Sequence, residues 1–399
     1  MGSAGTQRTV RIFISTGEVS GDLQGGLLVA ALQRQASHLG LELDIIALGG
    51  DRMAAAGAKL VGNTLGIGSV GIFEALPYIL PSLRIQRLAK QTLLKQPPDV
   101  AVLIDYMSPN MVMGQFLKNQ MPHVPVVYYI APQQWVWAFS EKDTRRLVHN
   151  SDRMLSIFPQ EAEFYGEYGA NVEWIGHPLV DRFPQPPDKL AARQRLGLEP
   201  DREIVVLLPA SRKQEVKYLL PKLFQGAQLL QQQRPEIEYL VPVSSDYFRP
   251  VMHQAMAEYG LRGQVIEAQG QDAIAAADLA ITKSGTANLE IALMNVPQVV
   301  AYRLNPLSAW IGHHLLNFSV PYISPVNLVE MKPVVPELVQ WHVTPEAICQ
   351  QAMALLPEGP ARHEMLAGYG SMRRALGEPG VCDRAAMEIL NMLKPAKAQ

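Results

Sequence analysis

Residues 10–22 read VRIFISTGEVSGD, and this stretch has the composition of a strand, a turn and a helix start. Its first six residues are rich in Val, Ile and Phe, which is typical of a strand covered on both faces. Gly17 and Gly21 permit a tight turn, and Ser20 or Asp22 is a candidate cap for the next helix. A buried strand leading directly into a helix predicts a parallel sheet.

The same alternation of strand and helix continues in two series. The predicted strands of the first series lie at residues 10–15, 44–48, 100–105, 124–130, 153–158 and 172–175, with helices at 25–38, 82–96 and 110–121. A proline-rich break, FPQPPD, separates them from a second series. The predicted strands of that series lie at residues 203–208, 237–243, 264–267, 278–282 and 297–302.

Two successive α/β series predict two Rossmann-like lobes with a cleft between them and a helical C-terminal end. We predict an N-terminal lobe at residues 1–183, a C-terminal lobe at residues 184–370 and a helical segment at residues 371–399. That last segment either crosses back onto the first lobe or pairs with a second copy of the chain as a homodimer. Composition does not choose between the two arrangements.

Composition excludes several classes of protein. Of 399 residues, 48% are hydrophobic, enough to bury a large core, so disorder of the whole chain is excluded. The net charge of −2 provides no positive field for nucleic acid. Cys349 and Cys382 suit neither a disulfide framework nor a metal knuckle, and no metal site is predicted. Without a signal or membrane-spanning segment, we expect a cytoplasmic protein.

Ligands of parallel sheets bind beyond the carboxyl ends of the strands, and two such ends in the first series carry carboxylates. Glu18 follows the first strand within TGEVSGD and is not explained as a helix cap. Asp105 ends the strand VAVLID, a suitable position for a general base that takes a proton from a hydroxyl group. The alternative for Asp105 is an Asx turn leading into Asn110.

Two strand ends of the second series suit an anion. Ser211 and Arg212 follow the strand 203–208 and offer a hydroxyl, backbone N–H groups and a bidentate guanidinium. The stretch SGT at residues 284–286 begins a helix whose N–H groups point at a phosphate, and Glu290 suits ribose hydroxyls one turn later. A solvated arginine and an ordinary helix cap are the alternatives.

A base in one lobe and a diphosphate site in the other favour a nucleotide-sugar transferase. The acceptor hydroxyl needs a base, and the departing nucleoside diphosphate needs positive charge. The sequence contains no Asp-x-Asp to hold a metal ion on the diphosphate, so Arg212 and helix dipoles would neutralise it. The pattern therefore predicts a glycosyltransferase that needs no metal.

From about residue 12 to residue 340 the chain resembles the lipid-A-disaccharide synthases, two-lobed GT-B glycosyltransferases of lipid A synthesis. The motifs agree in order and spacing. They are GEVSGD (17–22), GG-x-x-M (49–53), PDVAVLID (98–105), W-x-W (135–137), IGHPLVD (175–181), SR-x-x-E (211–215), SGTANLE (284–290), YIS-x-x-N (322–327) and VPEL (335–338).

The resemblance implies that UDP-2,3-diacylglucosamine and 2,3-diacylglucosamine 1-phosphate give a β-1,6-linked disaccharide and UDP with inversion. It implies Asp105 as the base, with Glu18 as the second catalytic candidate, and no cofactor. The residues implied to hold the UDP-sugar are Ser211, Arg212, Glu215, Ser284, Gly285, Thr286, Glu290, Tyr302, Arg303 and Asn327.

Three departures from the family pattern concern acceptor handling. Ala210 replaces the glycine usual before Ser-Arg, and Ser108 replaces a second aspartate. The arginine that usually follows W-x-W is absent from residues 131–139.

Because acylated sugars are fetched from a membrane, the resemblance implies a cytoplasmic protein bound peripherally to the inner membrane. Residues 66–95 combine apolar and basic side chains that suit a surface of anionic lipid; these include Phe73, Leu80, Arg84 and Arg87. An ordinary helix with a solvated basic face is the alternative. Trp135 and Trp137 line an acyl or sugar pocket in one interpretation and pack in the core in the other.

Two other functions remain open from sequence. A UDP-sugar epimerase or hydrolase on the same fold would act on the donor alone. A non-catalytic relative would bind lipid or nucleotide without reaction, although retention of Asp105, Glu18, Arg212 and Glu290 argues against it.

Overall fold

The computed structural model describes residues 9–17, 19–64, 78–136, 140–243, 246–267, 269–305, 310 and 320–393. The chain divides into two compact units. The first comprises Met1–Asp181 and Leu376–Gln399, and the second comprises Arg182–Ala375. None of the helices in the described ranges has the length and hydropathy of a membrane-spanning segment.

The first unit is built on a parallel seven-stranded sheet in the order β3-β2-β1-β4-β5-β6-β7. Its strands are β1 (Thr9–Ser15), β2 (Glu42–Gly49), β3 (Lys59–Asn63), β4 (Val100–Ile104), β5 (Val126–Tyr129), β6 (Arg153–Ser156) and β7 (Val172–Trp174). Every residue of β4 and β5 is buried, as expected of central strands covered on both faces. Because β4 and β5 are adjacent and parallel, their carboxyl ends lie side by side at one edge of the sheet.

Helices cover this sheet. They are α1 (Val19–His38), α2 (Asp51–Ala55), α3 (Ile79–Lys95), α4 (Met107–Gln120), α5 (Glu141–His149), α6 (Pro159–Glu167) and α7 (Leu179–Arg182). The last helix of the chain, α17 (Val381–Asn391), packs against α1. Asp181 accepts hydrogen bonds from the backbone N–H groups of Gly380, Val381 and Cys382 at 2.6–3.0 Å, which caps α17. The helical end thus folds onto the first unit.

The second unit contains a parallel six-stranded sheet in the order β10-β9-β8-β11-β12-β13. Its strands are β8 (Ile204–Leu208), β9 (Glu238–Pro242), β10 (Gly263–Ile266), β11 (Leu279–Lys283), β12 (Gln298–Tyr302) and β13 (Glu337–Val339). The helices that follow α7 are α8 (Lys189–Arg195), α9 (Lys213–Tyr218), α10 (Leu220–Gln233), α11 (Arg249–Glu258), α12 (Gly270–Ala275), α13 (Ala287–Leu293), α14 (Pro325–Glu330), α15 (Pro345–Leu355) and α16 (Pro360–Ala375).

The predicted fold class is confirmed, with two parallel sheets flanked by helices and a helical C-terminal end. One local prediction is wrong. Ser20 and Asp22 do not precede a helix, because α1 already begins at Val19. Asp22 instead accepts hydrogen bonds from Gly50 N and Met53 N at 2.8 and 3.2 Å, so its carboxylate caps α2. That contact ties the start of α1 to the chain after β2.

Candidate active site

The backbone is strained where β4 and β5 end. Asp105 and Tyr106 follow β4 with φ of 45° and 53°, and Ile130 follows β5 with φ of 58°. The left-handed region costs a residue other than glycine about 1 kcal/mol or more. A hydrogen bond of 2.9 Å from Asp105 N to Ile130 O joins the two turns. The predicted base therefore occupies a backbone conformation that its surroundings must maintain.

The buried side chain of Asn110 maintains this turn. Its Nδ2 donates to the carbonyl oxygens of Asp105 at 2.8 Å and Ile104 at 3.0 Å, and its Oδ1 accepts from Ser15 Oγ at 2.7 Å. Tyr128 Oη also donates to Asp105 O at 2.9 Å. The predicted Asx turn into Asn110 thus takes another form, in which the asparagine amide holds the aspartate backbone.

The turn after β1 contacts the same region. The Tyr106 ring lies directly over Gly17, where an added Cβ would come within 2.0 Å of ring atom Cε1. Only glycine leaves room for this contact. Glu18, the second catalytic candidate, lies outside the described residues.

Glu161, which the sequence analysis did not single out, is a buried carboxylate beside this site. It accepts hydrogen bonds from Ala131 N at 3.1 Å and Ile157 N at 2.9 Å, joining the turns after β5 and β6. Burial raises the pKa of Glu161 to about 8, against the opposing effect of these N–H groups, and the negative charge of Asp105 adds to the rise. Its position at the start of α6, directly after a strand, was the available sequence signal.

In the second unit, Glu215 fixes the turn that carries Ser211 and Arg212. Glu215 Oε2 accepts hydrogen bonds from Ser211 N at 2.5 Å and Arg212 N at 2.9 Å. In this structure a carboxylate of the chain occupies these two N–H groups, so an anion would have to displace it, and their contact with an anion stays a prediction. Arg212 is left to act through its guanidinium, whose Nη1 lies 3.9 Å from Glu215 Oε1.

The SGT turn is also held by hydrogen bonds within the second unit. Ser284 Oγ donates to Ile323 O at 2.8 Å, and Gly285 N donates to Asn288 Oδ1 at 2.9 Å. Gly285 has a φ of 150°, which favours glycine. Thr286 directly precedes α13, and its carbonyl accepts from the backbone N–H of Glu290 at 3.4 Å.

Four side chains come together where β8, β11 and β12 end: Arg212, Glu215, Lys283 and Tyr302. Lys283, the last residue of β11, places Nζ 3.9 Å from Glu215 Oε1. Burial raises the pKa of Tyr302, the last residue of β12; the positive charge of Arg212 lowers this pKa and the negative charge of Glu215 raises it. Of these four, the sequence analysis proposed Arg212, Glu215 and Tyr302 but not Lys283, which directly precedes SGT.

The other predicted nucleoside contacts have partners within the second unit. Glu290 Oε1 accepts from Arg182 Nη1 at 2.8 Å, and Arg303 Nη1 donates to Val343 O at 3.3 Å. Asn327 is buried; its Oδ1 accepts from Val334 N and Val335 N at 2.8 Å each. Its Nδ2 donates to Val335 O and to Glu337 at 2.9 and 2.8 Å. An Asn327 side-chain contact to the nucleoside would have to displace these bonds, and it stays a prediction.

Comparison with known proteins identifies the family. The sequence pattern of the family described as lipid-A-disaccharide synthetase matches residues 12–388. A lipid-A-disaccharide synthase of Gloeothece citriformis is 52% identical over 382 residues, covering 96% of this chain and 100% of that protein. The one of Prochlorococcus marinus is 49% identical over 390 residues, covering 96% and 100%. The chain belongs to the lipid-A-disaccharide synthase family.

The family assignment makes this chain a glycosyltransferase, and it confirms the resemblance inferred from the motifs. A solved glycotransferase of kitacinnamycin matches with a TM-score of 0.60 at 17% identity, over 97% of this chain and 100% of that one. A UDP-N-acetylglucosamine 2-epimerase structure from Listeria monocytogenes, described as putative, matches with a TM-score of 0.61 at 15% identity, over 96% and 95%. These likenesses show the GT-B fold, and the full-length identity to synthases does not favour the epimerase alternative.

Both departures from the synthase pattern that lie in the described residues border the predicted sites. Ser108 is exposed in the first turn of α4, three residues after Asp105. Ala210 is half-buried directly before the turn that Glu215 holds. The described residues contain no group of three or more His, Cys, Asp or Glu side chains that could hold a metal ion.

The predicted acceptor and membrane residues lie in two places of the first unit. Leu80, Arg84 and Arg87 are exposed on α3. The Trp135 ring packs against Phe158, with 5.7 Å between ring centroids. Phe73 and Trp137 lie outside the described residues.

Proposed function

We propose that the protein transfers the sugar of UDP-2,3-diacylglucosamine to the 6-hydroxyl of 2,3-diacylglucosamine 1-phosphate. The products are the β-1,6-linked lipid A disaccharide and UDP. The observation that carries the proposal is the identity of 52% and 49% to two proteins named lipid-A-disaccharide synthase, each matched over its whole length. Each match covers 96% of this chain.

In the proposed reaction, Asp105 is the general base. Its carboxylate takes the proton of the acceptor 6-hydroxyl while the oxygen forms a bond to the anomeric carbon of the donor. The bond from that carbon to the β-phosphate breaks, and UDP leaves with the electron pair. One displacement of this kind inverts the anomeric configuration. The strained turn held by Asn110 and Tyr128 supports this role, because strain of this kind clusters at active sites.

The second unit would bind the UDP portion of the donor. Arg212 suits the diphosphate, since a guanidinium binds phosphate oxygens bidentately. Glu215 would act indirectly, because its carboxylate fixes the Ser211–Arg212 turn. Ser284, Gly285 and Thr286 would border the phosphates from the next strand end.

We further propose that the protein works at the cytoplasmic surface of the inner membrane, where its acylated substrates reside. The support is a stripe on α3, formed by residues three or four apart that share one helix face. The stripe consists of Leu80, Leu83, Arg87, Lys90 and Leu94. Its three leucines are 67%, 59% and 56% exposed. Exposed leucines on either side of two basic side chains suit an anionic lipid surface.

The test of the proposed reaction is UDP release from UDP-2,3-diacylglucosamine, measured with and without 2,3-diacylglucosamine 1-phosphate, with the product mass determined. We expect release that depends on the acceptor and a product with the mass of the tetraacylated disaccharide 1-phosphate. UDP release without acceptor would instead identify a hydrolase, and a donor converted to an isomer would identify an epimerase. Either result would contradict the proposed transfer.

A further inference from the structure

Lys283 occupies a position between the two phosphate-binding turns proposed for the second unit. It ends β11 and directly precedes Ser284. Its Nζ lies 3.9 Å from Glu215 Oε1, and Glu215 Oε2 binds the N–H groups of Ser211 and Arg212. Nζ also lies over the SGT turn, since a Cβ added to Gly285 would approach it to 2.7 Å. The ammonium group is therefore within reach of both turns.

Two cations of this cluster lie beside the same carboxylate. Arg212 Nη1 and Lys283 Nζ each lie 3.9 Å from the same oxygen of Glu215. Two cations thus share one carboxylate, at distances longer than the 2.7–2.9 Å typical of a charge-assisted hydrogen bond. The Lys283 side chain is only 14% exposed, so little water screens its charge. A weakly screened ammonium group beside a guanidinium at the strand ends suits an anion.

We propose that Lys283 is a second cationic ligand of the UDP diphosphate. The assignment rests on the proposed function, because it takes UDP as the anion. Arg212 would bind phosphate oxygens through its planar fork, and Lys283 would add a compact charge from the neighbouring strand. Two fixed cations would then neutralise the diphosphate as it departs. Glu215 would orient Arg212 and Lys283 through its carboxylate and would not itself contact the nucleotide.

The test compares UDP with uridine, which lacks the phosphates. Titrations of the full chain would measure the dissociation constants of both ligands for the unchanged protein, Lys283→Gln, Lys283→Arg and the control Lys217→Gln. Lys217 is exposed on α9 of the same unit, so its loss removes an equal charge without the contact. We expect Lys283→Gln to weaken UDP binding about 10-fold or more and to leave uridine binding within about twofold. Lys283→Arg should recover most of the UDP affinity.

Three results would overturn the assignment. Lys283→Gln that binds UDP as tightly as Lys217→Gln would exclude a phosphate contact while leaving the proposed function intact. Equal losses for UDP and uridine would show that Lys283 only supports the fold of the turns. If the unchanged chain bound no UDP, the proposed function and this assignment would fail together. If Lys283→Gln unfolds, the Lys283→Arg variant decides, since it retains the charge but shifts its position. A dissociation constant that changes for UDP and not for uridine would support the phosphate contact, and equal changes for both ligands would exclude it.

Discussion

The conformation of Asp105 depends on a buried asparagine, Asn110, together with Tyr128, because both donate to its carbonyl group. Three left-handed residues at the ends of β4 and β5 would cost about 1–3 kcal/mol each without compensation. Asn110 provides the compensation, because its buried amide bonds the carbonyl groups of Ile104 and Asp105 and the hydroxyl of Ser15. The side chain that does the proposed chemistry is therefore distinct from the side chain that sets its geometry.

Asn110→Ala should lower both stability and turnover. The change leaves several buried polar groups without partners, so we expect the free energy of unfolding to fall by about 2–4 kcal/mol. The rate constant kcat should fall more than the affinity for UDP, because the first unit loses the geometry of its base. Denaturant titration and steady-state kinetics measure the two effects.

The matched control is Asn119→Ala on the exposed side of the same helix, where Asn119 accepts a hydrogen bond from Gln115 in an exposed pair. Its free energy of unfolding should change by less than about 0.5 kcal/mol. If Asn110→Ala behaved like this control, Asn110 would not support the turn.

Arg212→Ala tests the donor site at the level of one side chain. Loss of a charge-assisted bidentate contact should raise the dissociation constant of UDP about 10-fold or more in a calorimetric titration. Arg202, which pairs with Glu238 near the opposite end of β8, is the control. Arg202→Ala should bind UDP normally. Unchanged UDP affinity in Arg212→Ala would remove Arg212 from the site.

The motifs locate these residues in the sequence but do not reveal which way their side chains point. Glu215 and Asn327 both belong to family motifs, yet each binds backbone N–H groups of its own segment. The Glu215 contact is a local capping box, whereas the partners of Asn327 lie in the turn that follows α14. Lys283 was not predicted because a lysine at the end of a strand has the pattern of an ordinary surface residue.

Among the elements, the buried strands were predictable and the marginal strands were not. Val100–Ile104 and Ile204–Leu208 are continuous apolar runs, and both form central strands. Lys59–Asn63 forms β3 without one fully buried residue, and Glu337–Val339 forms β13 with only three residues. Neither segment has enough apolar residues to predict a strand, so pairing with a neighbouring strand decides its conformation.

The α3 stripe should mediate binding to anionic membranes. The double variant Leu80→Ser with Leu83→Ser removes two exposed apolar side chains, so the fold should survive while vesicle binding is lost. Co-sedimentation with vesicles of phosphatidylglycerol and phosphatidylcholine measures the binding. Circular dichroism confirms that the variant is folded.

Leu190→Ser provides the control, because Leu190 is 56% exposed on α8 of the second unit. This variant should sediment with vesicles like the unchanged protein. Undiminished sedimentation of the α3 double variant would show that α3 is an ordinary solvated helix.

At the scale of the whole molecule, the first unit is completed by the end of the chain. The Asp181 carboxylate caps α17, and Arg153 forms an ion pair with Glu388 on the same helix at 2.7 Å. The chain therefore leaves the first unit after Asp181 and returns to it at Leu376.

Asp181→Ala should detach this cap and lower the thermal midpoint of the first unit, because three N–H groups of α17 lose their acceptor. A helix cap contributes about 1 kcal/mol or more, which corresponds to a few degrees in the midpoint. Differential scanning calorimetry measures the shift. Asp383→Ala is the control, since Asp383 forms an exposed ion pair with Arg34. An Asp181→Ala midpoint equal to that control would contradict the role of the cap.

The central claim, that one carboxylate at the end of β4 activates the acceptor of a lipid A disaccharide synthase, is tested most directly by Asp105→Asn. Its kcat for the acceptor-dependent reaction and its dissociation constant for UDP should be measured on the same preparation. We predict that kcat falls about 10²–10⁴-fold while the UDP constant stays unchanged, because only the base is lost. Normal turnover in this variant would contradict the account and assign the base to another residue.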